Sequence, residues 1–316
     1  MDWDAEDILR DHEEEADPSV AVEEAEIDED HALTEQYIYG LLAGMAYVPP
    51  TPDAEAEMHG AQGDLLAEIG LVERAIQDYR QAAELGKRAK WRRRVADSYL
   101  TMNLPRHAFR AYKEAIRLDP RDPESHFHMA EFLRTMGRTY LAIEEFREAL
   151  RLAPDRAYYA LRLGEAGLAL NMLDDAVRAL RRATRQDPRD AYYRFRLANA
   201  FIRAGALNDA IHQLEYAVRL APCDDYYHAL LAMGYRTVSR HDDSAHVLRR
   251  TIEIRPKNRA YHFLASEAYR DLGITTLAEH HGRLAGRLDG YDADYVDRLR
   301  NRFLSDREEW SRPAWL

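Results

Sequence analysis

The residues that could perform chemistry are few, and their spacing does not assemble a known site. Gly86-Lys87 lacks both the glycine five residues upstream and the following Ser or Thr of a phosphate-binding loop. His12-Glu13 is followed by Ala16 where a zinc-binding helix would place its second histidine. We therefore expect no metal and no other cofactor, and we predict that the chain is not an enzyme.

Two histidine pairs and one cysteine are the other candidates for a metal ligand or a nucleophile. His126 with His128 and His280 with His281 are only one or two residues apart, so on a helix the members of a pair point in different directions. Cys223 is followed by two aspartates, and neighbouring acids disfavour the thiolate that a nucleophilic cysteine needs. A single cysteine also excludes an internal disulfide.

Charge is concentrated at the N-terminus. Residues 1–30 hold fifteen Asp and Glu residues against Arg10 alone, a net charge of −14, whereas the other 286 residues carry 43 basic against 41 acidic side chains. The acidic segment has too little apolar content to offset the entropy of folding and is predicted to be disordered when free. Only four of the 44 basic residues are lysines, a ratio typical of GC-rich bacterial genomes.

No segment predicts a membrane span or a secretory leader. The longest apolar stretch, residues 37–47, has about eleven residues where a span needs about 20. The first residues also lack a basic region followed by an apolar core. The expected location is therefore the cytoplasm.

Prolines recur along the chain with a period of 34 residues, at Pro120, Pro154, Pro188, Pro222 and Pro256. Small residues recur in the same register, at Ala108, Ala142, Ala176 and Ala210 and again at Ala115, Ala149, Ala183 and Ala217. Bulky Tyr112, Phe146, Leu180 and Leu214 lie between them. Spacings of three and four place these residues on one helical face. Each period is predicted to hold two helices joined near Asn103, Gly137, Asn171 or Gly205.

This period and this pattern of small and bulky positions resemble the tetratricopeptide repeat family. The resemblance implies an all-α fold, a right-handed α-solenoid of about seven helix pairs over residues 56–292. The seven repeats would be 56–88, 89–122, 123–156, 157–190, 191–224, 225–258 and 259–292. Around them we expect an acidic arm over 1–32, a short helix and Pro-rich linker over 33–55, and a capping helix with a tail over 293–316. The Trp-containing tail would pack back or serve as a docking peptide.

In this family the first helix of each repeat lines a concave groove, so the resemblance implies which side chains would meet a partner. The implied groove residues are Phe127, Arg134, Tyr158, Arg162, Tyr192, Phe195, Arg196, Arg203, Tyr226, Arg236, Phe263 and Arg270. Arginine binds acidic groups bidentately, and Tyr and Phe bury apolar side chains, so this groove suits an acidic and hydrophobic peptide. A chaperone-type carboxylate clamp is not expected, because Asp97 stands where that clamp uses Asn.

A structural role for some of these residues stays open. Some groove arginines could instead pair with Glu165 or Glu267 inside the array. The tyrosines at the third position of the first helices are expected to pack against the preceding helix. These are Tyr159, Tyr193, Tyr227 and Tyr261.

The predicted function is non-catalytic protein–protein interaction, as a scaffold or adaptor that binds a peptide or helical segment of a partner. The arm is itself acidic and hydrophobic over Trp3–Leu9, so it could lie in the groove of its own or a sister molecule and gate partner access. One alternative is single-stranded RNA or other nucleic acid in the Arg/Tyr groove. Another is a regulatory subunit of an enzyme or assembly complex.

Overall fold

The computed structural model describes residues 51–288, and these residues form fourteen α-helices in seven consecutive pairs. They divide into two compact units, one ending at Pro154 and one beginning at Asp155. The first unit comprises α1 (Pro52–Glu68) with α2 (Val72–Gly86), α3 (Ala89–Thr101) with α4 (Pro105–Leu118), and α5 (Pro123–Thr135) with α6 (Thr139–Leu152). The predicted arm, most of the 33–55 segment and the segment 293–316 lie outside the described residues.

The second unit comprises four pairs. They are α7 (Ala157–Ala169) with α8 (Leu173–Gln186), α9 (Ala191–Arg203) with α10 (Leu207–Leu220), α11 (Asp225–Thr237) with α12 (His241–Ile254), and α13 (Arg259–Asp271) with α14 (Thr275–Arg287). The all-α repeat fold is therefore confirmed. From α3 onward, every first helix begins at the residue where a repeat was predicted to begin.

The first helix pair differs from the prediction at its start. Helix α1 begins at Pro52, inside the segment expected to be linker. The local chemistry explains this, because Thr51 caps the helix by accepting a hydrogen bond from the Ala54 amide at 3.3 Å on its hydroxyl oxygen. Proline at the first helical position has a backbone already suited to a helix start.

The small positions of the repeat are where the two helices of a pair approach most closely. All eight alanines that carry the 34-residue period have no solvent exposure. In the fourth pair Gly164 serves the same purpose, because a Cβ there would lie only 2.6 Å from Cγ of Leu180 in α8. The turns between paired helices also follow the prediction, with φ of 56° at Asn103 and 57° at Asn171.

The repeating prolines take part in links between the loop and the pair that follows. The His126 ring has its Nε2 3.2 Å from the Pro120 carbonyl oxygen and its Nδ1 2.7 Å from Glu145 on α6. Burial opposes protonation of His126, but the hydrogen bond and charge of Glu145 outweigh it and raise the His126 pKa. In the second unit, the carbonyl oxygen of Pro188 accepts a hydrogen bond from Arg194, and that of Pro256 accepts one from His262.

Residues 51–288 contain neither a helix able to span a membrane nor a cluster of metal-binding side chains. No helix there combines the length and the apolar content that crossing a bilayer would require. No three His, Cys, Asp or Glu side chains in the same range are grouped as a metal ion would need them.

Candidate functional site

Accessible tyrosine rings mark one face of the second unit. Tyr158 on α7 is 49% exposed and Tyr192 on α9 is 43% exposed, while Tyr226 on α11 is half-buried. Each occupies the second position of a first helix, so the rings recur once per pair. Rings of this size bury much apolar area when a partner covers them, which makes them natural contact points.

Phe195 packs against two of these tyrosine rings. It is 7% exposed, and its ring centroid lies 6.0 Å from that of Tyr192 and 5.8 Å from that of Tyr226. A third ring, Tyr227, stacks on it at 5.3 Å. Phe195 thus supports the accessible tyrosines and offers little surface of its own.

Glu165 joins two of the predicted arginines. One of its carboxylate oxygens accepts a hydrogen bond from Arg162 at 2.6 Å, and the other forms an ion pair with Arg196 at 2.8 Å. The Tyr192 hydroxyl also donates to this carboxylate, at 3.2 Å. Two guanidinium groups therefore share one carboxylate, and the cluster has a net charge of +1.

The same arginines lie close to the tyrosine rings. The guanidinium of Arg162 is 5.9 Å from the Tyr158 ring centroid, and that of Arg196 is 5.8 Å from the Tyr192 centroid. The Nε atom of Arg196 is buried and has no hydrogen-bond partner among the described residues. Seven residues thus form one connected surface, which we call the Tyr–Arg face: Tyr158, Arg162, Glu165, Tyr192, Phe195, Arg196 and Tyr226.

Two other predicted groove arginines have structural partners. Arg203 donates to the Leu168 carbonyl at 2.6 Å and to Asn171 at 3.1 Å, so it braces the turn of the preceding pair. Arg236 reaches across to α13, where it donates to Glu267 at 2.6 Å and to Asp271 at 2.5 Å. Burial works against the charge of Arg236, but these two acids outweigh it and raise the pKa of Arg236. Pairing within the array, the alternative that the sequence left open, therefore describes Arg236 with Glu267 and also Arg162 and Arg196 with Glu165.

The remaining predicted groove residues are not among the seven residues that define the Tyr–Arg face. Phe127 and Arg134 belong to the first unit, where Phe127 is 8% exposed and Arg134 pairs with Glu131 at 3.0 Å on its own helix. On α13, Arg270 is exposed and Phe263 is half-buried.

The tyrosines at the third position behave as expected for packing residues. Tyr159, Tyr227 and Tyr261 are at most 9% exposed, whereas Tyr193 is half-buried. Burial raises the pKa of Tyr227 to about 12. The Tyr261 hydroxyl donates to Asp225 of the preceding pair at 2.7 Å, which adds a polar link between repeats.

The first unit contains a pocket of about 230 Å³ that is lined by Lys90, Arg93, Arg94, Asp97 and His128. The sequence drew attention to Asp97, and this carboxylate accepts a 2.5 Å hydrogen bond from Tyr112 at the pocket. The cations that line this pocket are already neutralised by ion pairs.

The partners of those cations are acids of the same unit. Lys90 pairs with Glu57 at 2.8 Å and Arg93 with Asp122 at 3.0 Å, while Arg94 lies 3.4 Å from Asp64. Because each cation has its own carboxylate, the pocket lacks the uncompensated charge that a carboxylate ligand would need.

Comparisons with known proteins place the fold. The family model described as tetratricopeptide repeat matches residues 95–157 and 161–225. No curated protein matches the chain. Among solved structures, the C-terminal part of a TPR repeat-containing protein from Cytophaga hutchinsonii has a TM-score of 0.61 at 15% identity, over 75% of this chain and 98% of that one.

Two further structures are similar in fold. YrrB, described as a TPR protein with an unusual peptide-binding site, has a TM-score of 0.51 at 21% identity, over 61% of this chain and 97% of its own. Pseudomonas aeruginosa PilF has a TM-score of 0.52 at 17% identity, over 71% and 98%. Identities this low show a shared fold alone. The two matched stretches and the seven helix pairs of the same design identify tetratricopeptide-type repeats in this chain.

Proposed function

We propose that the chain is a non-catalytic interaction scaffold whose Tyr–Arg face binds a protein segment that combines acidic and apolar side chains. The observation that carries the proposal is the pair of accessible rings, Tyr158 and Tyr192, beside two guanidinium groups that share the single carboxylate of Glu165. Tetratricopeptide repeat proteins are generally interaction scaffolds, and YrrB is described as having a peptide-binding site.

The chemistry of the face fits this class of ligand. An apolar side chain that covers Tyr158 or Tyr192 removes ring surface from water, at about 25 cal/mol per Å². A carboxylate placed beside Arg162 and Arg196 would meet the excess positive charge that Glu165 leaves. Charge-assisted bonds of this kind are about twice as strong as neutral ones.

The chain's own N-terminal arm has the same composition as the proposed ligand. Residues 3–9 hold Trp, Ile and Leu among three acids. We include in the proposal that this arm, from the same or a sister molecule, competes with the partner and so gates the face. A tethered segment competes at an effective concentration of the order of millimolar.

Single-stranded RNA is the alternative ligand, because exposed tyrosine rings and arginines also stack on bases. Glu165 lies among these arginines and the arm is strongly acidic, and both features repel phosphate. The partner, once identified, also decides whether the scaffold serves as a regulatory subunit of an enzyme.

Affinity capture from the native host tests the proposal. The variant Tyr192→Ala, Arg196→Ala, Tyr226→Ala removes two rings and one cation from the face and is expected to weaken partner binding about 100-fold, since buried aromatic and arginine anchors dominate interface energies. The matched control is Tyr140→Ala, Arg147→Ala, Arg151→Ala on the second helix α6, where Tyr140 is 69% exposed. Helicity of each protein is checked by circular dichroism.

The outcomes separate the two ligands. Loss of the same proteins from the first variant but not from the control supports the proposed function. Equal capture by all three proteins contradicts it. Recovery of RNA that the first variant loses would favour the nucleic-acid alternative.

A single substitution at Glu165 separates a binding role from a structural one. Glu165→Gln is expected to cost about 1–2 kcal/mol of stability, because Arg162 and Arg196 lose the charge they share. It is also expected to raise the affinity for the captured acidic segment several-fold, since the face gains one positive charge. Denaturation and titration measure the two effects. A purely structural network would show the stability loss with unchanged or weaker binding.

A further inference from the structure

A stripe of four cations runs along one side of α4 in the first unit. Arg106, Arg110, Lys113 and Arg117 follow one another at spacings of four, three and four residues. At 100° per residue they fall within an arc of about 60°. All four are exposed, and the buried residues of α4 lie on its other side. We call this the α4 stripe.

Three members of the stripe lack a counter-charge. Arg106, Arg110 and Arg117 form no ion pair with any carboxylate in the described part of the chain. The one acid of α4, Glu114, forms an ion pair with Arg92 on α3 at 3.3 Å. These three arginines therefore carry positive charge that no carboxylate of the described residues compensates.

Several arginines on other second helices are neutralised within the same helix, although Arg185 of α8 and Arg249 of α12 form no ion pair in the described part of the chain. On α6, Arg147 pairs with Glu144 at 2.7 Å and Arg151 with Glu148 at 2.5 Å, each three residues apart. On α12 of the second unit, Arg250 pairs with Glu253 at 2.7 Å. Such pairs are the usual arrangement on a solvated helix face. On α4, three arginines without such pairs share one side of the helix, and this concentration of charge suits an acidic segment.

The chain itself carries a segment of the complementary charge. Residues 1–30 hold fifteen acids and one arginine, a net charge of −14. Leu118, next to the stripe and 42% exposed, offers an apolar contact for Trp3 or Ile8. By comparison, the Tyr–Arg face has a net charge of only +1, since Glu165 neutralises half of its guanidinium charge.

The covalent connection makes this contact reachable within one molecule. Residues 31–50 link the acidic segment to α1, which belongs to the same unit as α4. At about 3.3 Å per residue, twenty residues reach at most about 65 Å. Helix α4, with 14 residues, is about 21 Å long. Tethering therefore presents the acidic segment to the stripe at about millimolar concentration.

We propose that residues 1–30 dock on the α4 stripe of their own chain and cover it against other polyanions. The stripe shares no residue with the Tyr–Arg face, so partner binding at that face does not depend on this inference. Docking of the arm on the stripe is the alternative to its gating of the Tyr–Arg face within the same molecule. Because the contact is electrostatic and exposed, it weakens as salt shortens the Debye length from about 10 Å at 0.1 M towards about 3 Å at 1 M.

Carbodiimide cross-linking of the intact protein gives a direct readout. The reagent joins carboxylates to lysine amines, and the chain has four lysines, all exposed: Lys87, Lys90, Lys113 and Lys257. Only Lys113 belongs to the stripe. In the monomeric product at 50 mM NaCl, mass spectrometry is expected to place most links from residues 1–30 at Lys113. At 500 mM NaCl these links should fall at least fivefold.

Charge reversal tests the stripe itself. The variant R106E/R110E/R117E keeps Lys113 and is expected to reduce its links to the arm at least fivefold. The control R178E/R185E/R189E makes the same change in net charge at three exposed arginines in and just after α8, and should leave the links unchanged. Circular dichroism checks that both variants keep their helicity. The distribution of arm cross-links over the four lysines is measured in the unmodified protein, so that test does not depend on the folding of any variant.

Several results would overturn the inference. These are an even distribution over the four lysines, a predominance of Lys90 at the first-unit pocket, links confined to dimers, or full retention at Lys113 in R106E/R110E/R117E. Loss of single-stranded RNA binding in that variant with unchanged arm links would assign the stripe to nucleic acid instead.

Discussion

Replacing Ala176 with aspartate is expected to lower the free energy of unfolding of the second unit by about 3–5 kcal/mol, the usual cost of a buried charge without a partner. Ala176 of α8 lies at a close contact between the two helices of the fourth pair. It has no solvent exposure, and a Cβ on Gly167 of α7 would lie 3.3 Å from its own Cβ. A carboxylate at this position has neither space nor a counter-charge.

Urea denaturation and hydrogen exchange measure this effect. Exchange should accelerate most in α7 and α8, the two helices that the substitution forces apart. The control is Ala169→Asp, at an exposed position in the last turn of α7, which should change stability by less than about 1 kcal/mol. Similar losses in the two variants would contradict the close approach of the paired helices.

Gly60→Ala is expected to destabilise the first unit by about 3 kcal/mol, although alanine is the better helix former by about 1 kcal/mol. A Cβ at Gly60 of α1 would lie 1.8 Å from the indole ring of Trp91 on α3. Trp91 is 2% exposed and stacks with Tyr79 at 6.4 Å between ring centroids. Because the indole is buried and packed on Tyr79, it cannot move away from the added methyl group without disturbing its neighbours.

The matched control is a helical glycine with open space around it. A Cβ at Gly286 of α14 would meet no atom within 4 Å, so Gly286→Ala should be neutral or stabilise by up to about 1 kcal/mol. Both variants are measured by thermal and urea unfolding. If Gly60→Ala were as stable as Gly286→Ala, the packing of α1 against α3 would be wrong.

The fold was readable from the sequence because each repeat encodes the same contact. Ala142, Ala176 and Ala210 recur at 34-residue intervals, and a close approach of two helices requires a small residue at that point. The family resemblance added the order of first and second helices. The start of α1 was missed because Thr51 acts through a local cap, which the repeat pattern does not contain.

The site was only partly readable, because a position on a helix does not specify the partner of a side chain. Tyr158 and Tyr192 are accessible, as the resemblance implied, yet Phe195 at a lining position is buried by the aromatic rings around it. The link between Glu165 and Arg196 spans 31 residues, which is one period less one helical turn. Arg236 and Glu267 repeat that separation, so the signal was present in the spacing.

The role of Arg203 illustrates what spacing alone cannot give. It occupies a lining position, but its guanidinium reaches back to the Leu168 carbonyl and Asn171. Backbone acceptors are present at every residue, so no side-chain pattern distinguishes this arginine from one that meets a ligand. Only the coordinates of the turn show the difference.

Photo-cross-linking from single positions tests most directly whether the Tyr–Arg face binds a protein partner. Benzoylphenylalanine is placed at position 192 or, in a separate protein, at position 140, where the exposed Tyr140 of α6 serves as the control. Both proteins are irradiated in the native host. The account predicts a specific protein adduct from position 192, with an acidic and apolar segment at the linked site, and none from position 140. The same adducts from both positions, or RNA alone from position 192, would contradict it.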